Sequence, residues 1–74
     1  MTEVHKRAFR LLRLQTRLST LVDRIAQDLD DLEGIIETDP FLPQVRSGIQ
    51  QEIRIAEALS DLIVSLERVY LNNE

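Results

Sequence analysis

Lys6, Arg7, Arg10, Arg13 and Arg17 crowd the first quarter of the chain. Lys6, Arg10, Arg13 and Arg17 recur at steps of four, three and four, which places them along one side of an α-helix. A guanidinium presents a planar fork of donors that matches carboxylate or phosphate oxygens, so a row of this kind suits an acidic protein surface or a nucleic-acid backbone. The competing reading is a solvated outer face. Three features weigh against nucleic acid: the net charge is −4, Phe9 is the lone aromatic among the arginines, and no recognised reading motif is present.

The other chemistry-bearing residues point to no reaction. Asp28, Asp30, Asp31 and Glu33 could attract a divalent cation, but the glycine and loop ligands of a calcium site are missing, and a solvated acidic helix end fits them better. His5 is the single histidine and there is no cysteine, which removes thiolate metal sites, disulfides and Cys/His nucleophilic pairs. Neither a Gly-rich phosphate loop nor a Glu-x-x-His metal pair occurs. Cationic active sites in helical bundles need arginines that face inward, whereas these map outward. The expectation is a non-enzyme with no cofactor and no metal. Short apolar runs and an opening segment without an apolar signal region predict a cytoplasmic protein with no membrane span.

The elements that must carry these residues follow from hydrophobic spacing. Val4, Ala8, Leu11, Gln15, Leu18, Val22, Ile25, Leu29, Leu32 and Ile36 alternate steps of four and three, a heptad ladder. Leu12, Leu14, Leu21 and Ala26 flank it and widen it into the stripe of a bundle helix. Gln15 interrupts the ladder, either as a register-fixing polar group or as a residue at a wet edge. This predicts a helix over about 3–33, ended by Gly34 in the left-handed conformation. A turn over about 34–40 closes on Asp39-Pro40, an N-cap followed by proline. A second helix over about 41–71 carries Val45, Gly48, Glu52, Ile55, Leu59, Leu62, Leu66 and Val69, with Ile49, Ala56, Ile63 and Tyr70 alongside. Irregularity is expected near Gly48. Glu52 is the one charge predicted to point inward, as a partner for an arginine or as a sign of a later helix start.

The fold expectation is an all-α antiparallel helical hairpin forming one domain over residues 1–74. Each helix has more apolar width than one neighbour can cover, so two hairpins are expected to dock as a homodimeric four-helix bundle. Its interface is assigned to Leu11, Leu14, Leu18, Leu21, Val22, Ile25, Leu29, Leu59, Leu62, Ile63, Leu66 and Tyr70. A second protein would satisfy the same physics. Charge is segregated along the first helix: residues 1–17 carry five basic groups against Glu3, and residues 23–39 carry seven acidic groups against Arg24. This opposes the helix macrodipole, and it favours antiparallel over parallel pairing of two copies. The functional expectation is a protein-interaction module, such as an adaptor, assembly factor or chaperone-like subunit. A nucleic-acid-binding dimer using Lys6, Arg7, Arg10, Arg13 and Arg17 is the alternative.

Overall fold

In the computed structural model, which describes residues 2–72, the chain forms two α-helices and no strand among those residues. Helix α1 spans Glu3–Glu33 and α2 spans Leu42–Asn72. They pack antiparallel into a ribbon measuring 56 × 17 × 13 Å, one helix thick. All-α hairpin architecture is therefore shown.

The caps explain the boundaries. Thr2 precedes α1 with extended backbone, and its Oγ1 accepts the His5 N–H at 3.2 Å, satisfying one of the helix's orphan donors. Gly34 ends α1, but not as expected. Its φ of −81° and ψ of −7° are right-handed, and no glycine among the described residues has positive φ. The helix closes through tightened bonds instead: Gly34 N–H donates to the Asp31 carbonyl and Ile35 N–H to the Leu32 carbonyl, each at 3.1 Å. The turn then caps α2 from Asp39, whose Oδ1 accepts the Phe41 N–H at 2.8 Å and whose carbonyl accepts the Leu42 N–H at 3.1 Å. Pro43 sits in the first turn of α2, where its missing donor costs nothing. The early start of α2 follows from these caps. The expected irregularity does not occur, because α2 runs unbroken through Gly48.

The two helices share one seam. On α1 it comprises Leu11, Leu14, Leu18, Leu21, Ile25, Asp28 and Leu32, continued by Ile35 of the turn; on α2 it comprises Leu42, Val45, Ile49, Glu52, Ala56, Leu59, Ile63, Leu66 and Tyr70. Both sets alternate steps of three and four, the knobs-into-holes period. Only Leu42, Ile49 and Ile63 fall below 7% exposure among the described residues. A ribbon one helix thick cannot do better, since each side chain has one neighbouring helix and water elsewhere.

The glycine geometry gives a direct test. A Cβ on Gly48 would meet nothing within 4 Å, and one on Gly34 would meet the Asp31 carbonyl at an ordinary 3.5 Å. Gly48→Ala should raise stability by about 1 kcal/mol, and Gly34→Ala by about 0.5 kcal/mol through the unfolded chain. Urea denaturation followed by circular dichroism measures both. A loss on Gly34→Ala would contradict the right-handed closure.

Candidate interaction surfaces

The shared seam divides the residues assigned to an oligomer interface. Leu11, Leu14, Leu18, Leu21, Ile25, Leu59, Ile63, Leu66 and Tyr70 are buried or half-buried between α1 and α2, whereas Val22, Leu29 and Leu62 are left exposed. The heptad ladder of α1 is thus split lengthwise. One line of it (Leu11, Leu18, Ile25, Leu32) faces α2 together with Leu14 and Leu21, and the other (Ala8, Gln15, Val22, Leu29, Ile36) faces solvent.

The ribbon has two faces of different character. On the first, the solvent-facing line of α1 lies beside Arg46, Ile53, Ser60 and Glu67 of α2. The Gln15 Nε2 donates to Glu67 Oε1 at 3.4 Å and marks this register. Gln15 is therefore a wet-edge residue that ties the two helices together. Across this face α1 offers a run without charge from Ala8 through Leu12, Gln15, Ser19, Val22 and Ala26 to Leu29, again at steps of four and three. On the second face, Arg10, Arg17 and Arg24 of α1 line up beside Ile55, Leu62 and Val69 of α2, one of each per heptad.

The basic residues are gathered as their spacing requires, with one exception. Lys6, Phe9, Arg10, Arg13, Leu14 and Arg17 line a shallow, open hollow of about 410 Å³ on the outer side of α1. Arg7 lies apart, toward α2. Its guanidinium stands 5.2 Å from the centre of the Tyr70 ring, and its Nε pairs with Glu3 Oε1 at 3.5 Å. Arg10 Nη1 donates to Tyr70 Oη at 3.2 Å. Tyr70 is thus held by two arginines and joins the end of α2 to the start of α1. Sequence spacing offered no signal for this, because the contact crosses sixty positions of the chain.

At the opposite end, the inward charge Glu52 meets Asp28 across the seam, not an arginine alone. Its Oε2 is screened from solvent with no hydrogen-bond partner. The Glu52 carboxyl is pushed above its ordinary value by the hydrogen bond its protonated form makes with Asp28, then by desolvation and by the Asp28 charge, against an opposing pull from Arg24. The acidic cluster was read as a solvated end, yet Asp28 belongs to the seam and is half-buried. Among the described residues no three His, Cys, Asp or Glu side chains are placed to share a metal ion, and no helix is long and apolar enough to cross a membrane.

No family of known proteins, no curated protein and no solved structure matches the chain.

The Glu52–Asp28 contact makes stability depend on pH with a definite sign. A carboxyl whose folded pKa lies above its unfolded 4.5 binds its proton more tightly in the folded state. Its contribution is fully present below pH 4.5 and is lost as pH rises through the folded value. Glu52→Gln keeps a donor for Asp28 at every pH, so its advantage over the parent should be large at pH 7 and shrink toward pH 4. Paired thermal melts across that range check it; a constant difference would refute the shared-proton contact.

Proposed function

We propose that this hairpin is a non-enzymatic protein-interaction module that works as a homodimer, with a further surface left for a second protein. The observation that carries the reading is the uncharged seam of α1 from Ala8 to Leu29, which the hairpin leaves in water. Val22 is 50% and Leu29 43% exposed, in the second half of the 31-residue helix α1. Exposed apolar lines of this length mark an interface, and burial at roughly 25 cal/mol per Å² favours covering them. A second hairpin laid face to face covers them with the four-helix geometry.

Charge favours one arrangement of that dimer. With the two α1 helices antiparallel and centred on Val22, the basic residues 1–17 of one copy lie alongside the acidic residues 23–39 of the other. Loops at the same end would stack like charges instead. Nucleic-acid binding has weaker support. The hollow beneath the basic row is lined by Phe9 and Leu14 as well as the cations, and Arg7 and Arg10 are already engaged by Tyr70.

Light scattering on the purified chain should give about twice its 8.6 kDa mass; a folded monomer would overturn the proposal. Val22→Glu with Leu29→Glu should abolish the dimer. Nitroxide labels at position 6 should lie about 50 Å apart in the antiparallel dimer, from the 1.5 Å rise per residue. A separation of roughly 25 Å or less would indicate the parallel one.

A further inference from the structure

We propose that the second face of the ribbon, where the arginines of α1 border the apolar line of α2, is the docking groove for an acidic amphipathic helix of a partner protein. This rests on the module reading above but concerns the face that the dimer leaves open. Along α2 the groove floor runs Gln51, Ile55, Ala58, Leu62, Ser65 and Val69, all uncharged, at steps of four and three. Leu62 is 47%, Ile55 52% and Val69 50% exposed. A floor with this period holds another helix in register, because an apolar stripe at heptad spacing drops a knob into it every two turns.

The groove wall fixes the charge of the occupant. Arg10, Arg17 and Arg24 recur every seven residues along α1; Arg10 is hydrogen-bonded to Tyr70 and Arg24 stands near the Asp28–Glu52 pair, so Arg17, midway along the wall, is the guanidinium turned to the groove. The one ion pair among the described residues is Arg7 with Glu3, so Arg17 faces solvent with no carboxylate bound. A helix with leucine-like residues at the seam and Glu or Asp along one flank answers both features at once: its stripe covers Ile55, Leu62 and Val69 while its carboxylates meet the wall. A phosphate backbone would answer the wall and leave the floor wet. A neutral helix would answer the floor and leave the guanidinia beside a desolvated edge without acceptors.

The probe is a fluorescein-labelled synthetic helix of four heptads with Leu at the seam and Glu on the flanks, titrated with the full chain at low salt. Its Lys-flanked counterpart and an RNA duplex of similar length are titrated in parallel. Saturable binding of the Glu-flanked helix is expected, weakened by added salt and at least tenfold by either Arg17→Glu or Leu62→Asn. Circular dichroism confirms that both variants remain helical. The Lys-flanked helix and the RNA should bind at least tenfold more weakly. Equal binding of the Lys-flanked helix, tighter binding of RNA that survives Leu62→Asn, or no binding of the Glu-flanked helix overturns the proposal. Loss of dimer mass on Leu62→Asn also overturns it, by showing that this face joins two copies. A monomeric parent chain that still binds the Glu-flanked helix would refute the dimer and leave this groove standing.

Discussion

Everything in this molecule depends on how much apolar surface one seam between two helices can cover. A helix in a globular domain is usually enclosed on two or three sides, and its apolar stripe is correspondingly broad. Here the ribbon is 13 Å thick, the depth of a single helix, so each stripe finds one neighbour. The hairpin buries the half of each stripe that faces its sister and leaves the other half outside. The outer half of α1 falls on one face of the ribbon and that of α2 on the other. The two exposed lines are therefore not duplicates. One is bordered by neutral and mixed residues, the other by a row of arginines.

This also explains what could be read from the sequence and what could not. Element type and length were plain, because Gly34, Asp39 and Pro40 punctuate two long periodic segments. The buried edge of each stripe was not. In α1, apolar residues occupy both flanks of the Leu11–Leu18–Ile25 line: Leu14 and Leu21 on one side, Val22 and Leu29 on the other. Periodicity ranks these flanks equally, since both keep heptad spacing. The choice belongs to α2, whose Ile49, Ile63 and Tyr70 line dictates the rotation at which the helices meet. The same limit hid Asp28. As one of four clustered acids it looked solvated, and its place in the seam emerges only once α1 is turned to bring Leu21 and Ile25 against α2. Glu52 was legible as inward from its own helix, but its partner was not. Gly34 was legible as a stop; its handedness was not, because a tightened last turn needs no positive φ.

The seam is not uniform along its length. Its middle, from Leu14 to Ile25 on α1, is purely apolar. One end is held by Tyr70 between Arg7 and Arg10, where cation–π and hydrogen-bond contributions add to packing. The other end holds the Asp28–Glu52 pair, in which two like charges face each other and only Arg24 offsets them. Near the turn the chain is strapped covalently and capped by Asp39, so a repulsive pair there is tolerated. At the open end, where no turn holds the helices together, the contacts are attractive.

The segregation of charge along α1 takes its meaning from the same antiparallel arrangement. Considered alone, basic residues at a helix start and acidic residues at its end both oppose the macrodipole. In the hairpin the start of α1 lies beside the end of α2, marked by the contacts of Arg7 and Arg10 with Tyr70. The exposed carbonyls of α2 bring a partial negative charge to that end, and the free N–H groups at the start of α2 bring a partial positive charge to the acidic end of α1. The neighbour's dipole therefore cancels much of the penalty that α1 would pay by itself. What remains is a rod whose side chains are basic at one end and acidic at the other, with its backbone dipoles largely neutralised. In the proposed dimer a second rod reversed against it would set each basic end beside an acidic one.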